Sequence, residues 1–132
     1  MGHGDAKVGD ELPRRVVGPI TRMEFARFSI STDDPNRVHL EEDVAAAAGF
    51  PQVIGSGGIV SGVLTEIVTD WAGIEPVRAG NIRMFVPLVP GVTFTVSAVV
   101  TERADDDTLT VVSQVVDGDG TKVGEGTYTV AP

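Results

Sequence analysis

Asp34 and His39 are the residues whose types and spacing best suit acid–base chemistry. They lie five positions apart in the segment 34–39 (DPNRVH), where Pro35 disfavours helical backbone at the residue before it. A carboxylate and an imidazole that act together typically accelerate a reaction by about two to four orders of magnitude. Each residue alone has a simpler interpretation, because an Asp before Pro opens turns and a lone histidine is often structural.

A second segment, 49–58 (GFPQVIGSGG), leads into the start of the longest predicted helix. Ser56 suits the N-cap, and the N–H of Gly57 lies at the positive end of the helix dipole, where it can donate to an oxyanion. Alone, the cap and the glycines are weak signals. Together with Asp34 and His39 they match what hydration of an enoyl thioester needs: a base for water, an acid for C2 and a donor for the thioester oxygen.

The first half of the chain is predicted to contain three helices. Thr21 and Glu24 match a capping box, so a helix of about two to three turns is expected after Thr21. A short helix is expected over 41–49, with acidic residues in its first turn. The longest helix is expected over 56–71, where these apolar residues recur at helical spacing: Ile59, Val60, Val63, Leu64, Ile67, Val68 and Trp71. Three glycines weaken it and would allow backbone or a ligand to approach: Gly57, Gly58 and Gly62.

The second half is predicted to form an antiparallel sheet. Four Val- and Thr-rich segments are expected to be strands: 77–87, 93–103, 108–117 and 121–130. A sheet of consecutive hairpins needs one face covered, and the 56–71 helix is the only element apolar and long enough to cover it. With a further strand near Val16, this order of elements predicts one α+β domain over 1–132. The arrangement is a hot-dog fold, with the sheet wrapped around a central helix.

Composition excludes several classes of function. The chain has 132 residues, of which 42% are hydrophobic, as expected for one globular domain. Its net charge of −9 argues against nucleic acid or an anionic membrane as a partner. There is no cysteine, and with two histidines, His3 and His39, no metal centre is expected. Without an apolar span or a secretory signal in the sequence, a cytoplasmic location is expected.

The negative charge does not exclude a ligand that carries phosphate, because a few arginines can bind phosphate locally. Arg78 and Arg83 lie close together in the sequence and are candidates for this role. Considered alone, they are more simply interpreted as solvated strand residues.

The stretch from Phe25 to Leu64 resembles the MaoC-like dehydratases, a family that includes the (R)-specific enoyl-CoA hydratases. The family signature is approximately D-x-N-P-x-H, then a short helix, G-F, and I-x-H-G-M at the start of the central helix. The corresponding segments here are DPNRVH at 34–39, GF at 49–50 and IGSGG at 54–58, with unchanged spacing from the Asp to the helix glycine.

The resemblance implies an enoyl-thioester hydratase or (3R)-hydroxyacyl-thioester dehydratase. It implies that Asp34 and His39 activate water and donate the proton, while the Gly57 N–H holds the thioester carbonyl. Supporting roles fall to Asn36, Ser56 and Thr65, the last at the position of a serine that orients the pair. No cofactor is expected beyond the CoA or phosphopantetheine of the substrate. A homodimer, or a heterodimer with a related subunit, is expected to pair open sheet edges.

Three positions depart from the signature: Arg37 replaces proline, Ser56 replaces histidine and Gly58 replaces methionine. An arginine beside the pair could change the substrate or bind a carboxylate or phosphate. Two alternatives remain open. One is a subunit that completes a heterodimeric hydratase. The other is a tailoring enzyme of polyketide-type metabolism on the same fold, an isomerase, a cyclase or a thioesterase using Glu66, although Glu66 is more simply a solvent-facing residue.

Overall fold

The secondary structure follows the predicted order of elements. A computed structural model describes residues 2–132, with 3₁₀ turns at His3–Asp5 and Arg37–His39. The helices are α1 (Arg22–Ser31), α2 (Glu42–Ala47) and α3 (Gly57–Ala72). The strands are β1 (Arg15–Val17), β2 (Val77–Met84), β3 (Phe94–Arg103), β4 (Leu109–Asp117) and β5 (Lys122–Val130).

The five strands form one antiparallel sheet in the order β1-β3-β4-β5-β2. Buried and half-buried residues alternate along β3 and along most of β4, so one face of the sheet packs inward and the other faces outward. The connection from β2 to β3 crosses the sheet, which leaves β2 at one edge with six of its eight residues, including four in a row, exposed. The outer edge of β2 therefore has unpaired backbone groups that are available to another strand.

Helix α3 covers the inner face of the sheet and forms the centre of the core. The predicted apolar stripe is confirmed, with Val60, Leu64, Ile67 and Val68 buried and the other members partly buried. The buried hydroxyl of Ser113 donates to the carbonyl of Leu64 (2.9 Å), which fixes the helix against β4. This sheet wrapped around a central helix is the hot-dog fold, as the sequence predicts.

Local signals in the first half are also observed in the structure. The capping box of α1 is present, with the Thr21 hydroxyl accepting from Glu24 N and the Glu24 carboxylate accepting from Thr21 N. Among the helix glycines, a Cβ on Gly58 would lie 3.0 Å from the Phe28 ring, so close approach explains this residue. Gly62 meets nothing within 4 Å, so the expected close approach is not made there within this chain. None of the helices in residues 2–132 is both long and apolar enough to cross a bilayer.

Candidate active site

Asp34 is positioned by the end of α1. The helix stops at Ser31, and Asp33 adopts a left-handed backbone conformation (φ 54°), which Asp tolerates better than most residues. The chain then turns so that the Asp34 N–H donates to the carbonyl of Ser29 (2.8 Å). Pro35 disfavours any return to helix, and the Asp34 side chain is left 44% exposed, within reach of water.

His39 closes the 3₁₀ turn Arg37–His39. Asn36 caps this turn, because its side-chain oxygen accepts from the N–H of Val38 (3.2 Å). Asn36 therefore shapes the loop between the two candidate catalytic residues and makes no hydrogen bond to either side chain. His39 is buried, with 8% of its surface exposed, so its imidazole has a restricted set of partners.

Three hydrogen bonds join the segment 34–39 to the segment that enters α3. The N–H of Ile54 donates to Val38 O (3.1 Å), and Ile54 O lies 2.8 Å from His39 Nδ1. The Ser56 hydroxyl donates to Asp34 Oδ2 (3.0 Å), which itself lies 3.4 Å from His39 Nε2. The structure thus brings Asp34, His39 and Ser56 together around one carboxylate oxygen.

The partner of His39 Nδ1 determines where the imidazole proton lies. A backbone carbonyl only accepts hydrogen bonds, so Nδ1 must carry a hydrogen to bond Ile54 O. A neutral His39 then has a bare Nε2 facing Asp34, and two lone pairs would oppose each other at that contact. With a proton on Nε2, His39 can donate toward Asp34 Oδ2 across their 3.4 Å contact. The geometry therefore allows a proton to move between the two side chains.

Ser56 links this pair to the start of α3. It is the N-cap, with its hydroxyl oxygen accepting from the N–H of Gly58 (3.4 Å) while its hydrogen goes to Asp34. Gly57 is the first helical residue, so its N–H has no acceptor within the helix and lies at the positive end of the helix dipole. A Cβ on Gly57 would meet only Met84 Cε at 3.7 Å, so the backbone here is approachable.

A pocket of about 300 Å³ opens beside these groups. His39 and Gly57 both line it, whereas Asp34 is not among its walls. The remaining walls are almost entirely apolar: Phe50, Ile54, Gly55, Val60, Met84, Phe85, Val86, Pro87 and Leu88. An apolar cavity with a few convergent polar groups is the usual form of a small-molecule site. Here the polar groups are an imidazole and a free helix N–H.

Three residues that the sequence analysis connected with the chemistry lie elsewhere. The Thr65 hydroxyl is bonded to the phenol oxygen of Tyr128 (2.9 Å), so within this chain the structure does not bring Thr65 to the pair. Arg37 forms an ion pair with Glu41 and is not directed at Asp34. Glu66 is exposed on α3 and accepts from Arg15 (2.9 Å), which agrees with its interpretation as a solvent-facing residue.

The sequence analysis missed the contribution of the segment after β2. Strand β2 was expected to run to residue 87 but ends at Met84. The segment 84–88 then forms one wall of this pocket. This wall is held in place by the Gly55 N–H, which donates to Leu88 O (2.9 Å). No local pattern reveals such a wall, because it depends on a long-range contact between residues 55 and 88. In residues 2–132 no group of three or more His or carboxylate side chains is arranged to hold a metal ion.

Comparison with known proteins identifies the class. The family model described as "MaoC like domain" matches residues 5–130, and the chain therefore belongs to the MaoC-like family. No curated protein sequence matches the chain.

Several solved structures are similar. One is from the ChsH1–ChsH2 complex of Mycobacterium tuberculosis, with 25% identity, a TM-score of 0.82, and coverage of 95% of this chain and 97% of the other. The (R)-hydratase PhaJ1 of Pseudomonas aeruginosa has 19% identity and a TM-score of 0.82, with 99% and 85% covered. The (R)-hydratase of A. caviae has 20% identity and a TM-score of 0.81, with 96% and 97% covered.

Proposed function

We propose that this protein adds or removes water at the 2,3 double bond of an acyl thioester. The observation that carries the proposal is that Asp34 Oδ2 lies 3.4 Å from His39 Nε2 beside an apolar pocket, here named the thioester pocket, that is lined by His39 and Gly57. Membership of the MaoC-like family and the similarity to two (R)-hydratases support the same reaction class.

In the proposed hydration, the acyl group lies in the thioester pocket and its carbonyl oxygen accepts from the Gly57 N–H. The Asp34 carboxylate takes a proton from water as the water oxygen bonds to C3. His39 gives its Nε2 proton to C2, while the Gly57 N–H stabilises the negative charge that develops on the thioester oxygen. The proton then passes from Asp34 to His39 across their 3.4 Å contact, which restores the starting state. Dehydration is the same sequence in reverse.

Ser56 and Asn36 support this reaction by positioning the pair. The Ser56 hydroxyl donates to the same carboxylate oxygen that faces His39, so it fixes the orientation of Asp34. Asn36 holds the turn that presents His39. We assign Thr65 no part in orienting the pair within one protomer, since its hydroxyl is bonded to Tyr128.

We also propose that the protein works as a dimer, located in the cytoplasm. The exposed backbone edge of β2 can pair with the same strand of a second copy, or with a related subunit. The ChsH1–ChsH2 structure is a complex of two different chains, which favours testing a heterodimer as well. Because Asp34 and His39 are both present, this chain would be a catalytic member of such a complex. We propose no cofactor, since CoA or phosphopantetheine enters as part of the substrate.

A thioesterase is the less favoured function for this site. Its candidate carboxylate, Glu66, is ion-paired with Arg15 on the surface and does not line the thioester pocket. An isomerase or cyclase would use the same Asp34–His39 pair without net addition of water, so product analysis distinguishes it.

The test is to follow the loss of enoyl absorbance with a panel of trans-2-enoyl-CoA thioesters of increasing size. Asp34→Asn keeps the shape of the side chain but removes the base, and His39→Ala removes the acid. Each is expected to lower kcat by at least about two orders of magnitude. If Glu66→Gln abolishes activity and free thiol appears instead, the hydratase proposal is wrong. If the folded protein turns over no enoyl thioester, alone or with a co-purified subunit, it is also wrong.

A further inference from the structure

Three side chains form a cationic cluster at the edge of the thioester pocket: Arg83, Phe85 and Lys122. Phe85 lines the pocket and is 44% exposed. The guanidinium carbon of Arg83 lies 5.7 Å from the centroid of the Phe85 ring, and Lys122 Nζ lies 5.8 Å from the same centroid. The negative face of an aromatic ring attracts cations at these distances, so Phe85 favours the presence of two like charges close together.

Arg83 is one of three arginines in residues 2–132, with Arg27 and Arg78, that have no carboxylate within 4 Å. The other five are paired with carboxylates: Arg14, Arg15, Arg22, Arg37 and Arg103. Glu125 lies opposite Arg83 in the pairing of β2 with β5, and its carboxylate is 3.2 Å from Lys122 Nζ. The cluster therefore keeps an excess positive charge on a protein whose net charge is −9.

That excess charge adjoins the pocket, because both cations contact the ring of Phe85, which forms part of the pocket wall. An acyl group beside His39 and Gly57 directs its sulfur, and everything attached to it, toward the pocket mouth. The overall negative charge of the protein repels a polyanionic carrier, so a local positive patch is needed to bind it. Arginine is well suited to phosphate, because its planar fork can donate two hydrogen bonds.

We propose that this cluster binds coenzyme A, with Arg83 and Lys122 as ligands of its phosphate groups. This proposal rests on the hydratase function proposed above. Arg83 is the main phosphate ligand, and Lys122 is the second because Glu125 partly neutralises it. The exposed Phe85 ring offers a flat apolar surface to the adenine. Coenzyme A is favoured over a carrier protein because it brings a diphosphate, a 3′-phosphate and an aromatic base to one small patch.

Arg78 provides a matched control on the same strand. It lies five residues before Arg83, roughly 17 Å away along an extended strand, and it too has no carboxylate within 4 Å among residues 2–132. It lines a different groove together with Thr65 and Tyr128. Arg78→Gln removes the same charge from β2 as Arg83→Gln, but at a distance from the thioester pocket.

The test compares an enoyl-CoA with the N-acetylcysteamine thioester of the same acyl group, which lacks phosphate and adenine. Arg83→Gln is expected to raise KM for the CoA thioester about tenfold, because one charge-assisted hydrogen bond to phosphate is lost, while kcat stays nearly unchanged. Lys122→Gln should raise it by a smaller factor. Neither variant should change KM for the truncated thioester. Arg78→Gln should leave KM unchanged for both substrates. A melting curve for each variant checks that it is folded.

Glu125→Gln provides a test in the opposite direction. Removing this carboxylate frees Lys122 and takes away the negative charge opposite Arg83, so KM for the CoA thioester is expected to fall about two- to threefold while KM for the truncated thioester is unaffected. Raising the ionic strength should weaken CoA binding by the natural protein more than by Arg83→Gln. If KM does not fall in Glu125→Gln, the two cations beside Glu125 are not phosphate ligands.

Direct titration of free CoA distinguishes failure of this proposal from failure of the proposed function. If the natural protein binds CoA and Arg83→Gln binds it about tenfold more weakly, the cluster is supported whether or not turnover is seen. If adenosine 3′,5′-bisphosphate competes for the site, the nucleotide is the part recognised. If only 4′-phosphopantetheine competes, the assignment to CoA is overturned in favour of the phosphate that both carriers share. Equal effects of Arg78→Gln and Arg83→Gln would overturn the cluster altogether.

Discussion

The site and the sheet surround the same helix but are held together by different interactions. Along β3 and β4, apolar side chains alternate inward and are fully or almost fully buried. The site consists of two irregular segments, 34–39 and 54–57, joined by three specific hydrogen bonds, and its carboxylate is 44% exposed. Burial therefore stabilises one region, and directional polar contacts position the other.

The difference follows from what each region has to do. A β-sheet satisfies its own backbone groups and can exclude water from its inner face, which suits a core. Acid–base chemistry needs polar atoms that are fixed in direction yet still reach water and substrate, and irregular backbone at a helix start provides both. Substitutions in the sheet should therefore change stability without changing chemistry, and substitutions in the site should do the opposite.

The largest expected effect within the sheet is that of Leu109→Ala. Leu109 is 1% exposed at the start of β4, and truncating a buried leucine typically costs about 2–5 kcal/mol of unfolding free energy. We expect a loss near the middle of that range in denaturant unfolding, with kcat for an enoyl-CoA unchanged at a temperature where the variant is folded. A large fall in kcat of the folded variant would contradict the separation of the two regions.

Ser56→Ala is expected to affect both regions, because Ser56 belongs to α3 and to the site. Loss of the helix cap should cost about 1 kcal/mol of unfolding free energy. Loss of the hydrogen bond to Asp34 should lower kcat about tenfold, because that carboxylate bond is charge-assisted. KM should change little.

Rescue by a conservative variant separates a positioning role of Ser56 from a purely structural one. Ser56→Thr keeps the hydroxyl and should restore the rate. If Ser56→Ala and Ser56→Thr lose the same rate, the hydroxyl does not position Asp34.

The sequence predicted the sheet and helices well because their signals are local. Helical spacing over 56–71 and the capping box at Thr21 depend on residues within a few positions of each other, and both are observed. The cluster of Asp34, His39 and Ser56 required more than local signals, because each has a simpler structural role when considered alone. Their joint spacing and a family resemblance suggested it, while the hydrogen bonds between them became visible only in the fold.

Two placements could not have been predicted from the sequence. Thr65 was expected near the pair, but its position along α3 turns its hydroxyl toward Tyr128 on β5. Arg83 is exposed on β2, which agrees with its interpretation as a solvated strand residue, but the sequence does not reveal that β2 ends beside the pocket next to Lys122 of β5. Both outcomes depend on which strand lies next to which helix or strand, a long-range property that residue types do not encode locally.

Thr65→Val sharpens the comparison because it removes a second hydroxyl from the same helix as Ser56. The partner of Thr65 is the nearly buried Tyr128, so the substitution should cost about 1 kcal/mol of unfolding free energy. We expect kcat to be unchanged when it is assayed beside Ser56→Ala. A loss of rate as large as that of Ser56→Ala would show that Thr65 acts on the reaction, for instance across a dimer interface.

The smallest expected effect is that of Glu41→Gln, at the junction between the site loop and α2. The hydrogen bond from Arg37 holds the pKa of Glu41 below its ordinary value. This contact therefore stabilises the folded state at pH values above the ordinary pKa of a glutamate. The contribution is lost as the pH falls through the lowered pKa, because the protonated carboxyl no longer attracts Arg37. The melting temperature of the natural protein should therefore be slightly higher than that of Glu41→Gln at neutral pH, and the difference should vanish in strong acid.

The activity of Glu41→Gln should be unaffected, since the side chains of Arg37 and Glu41 are exposed and paired with each other rather than with Asp34. If freeing Arg37 changes KM instead, this arginine binds substrate, and the polar contacts of the site extend one turn further than the three hydrogen bonds that join its segments.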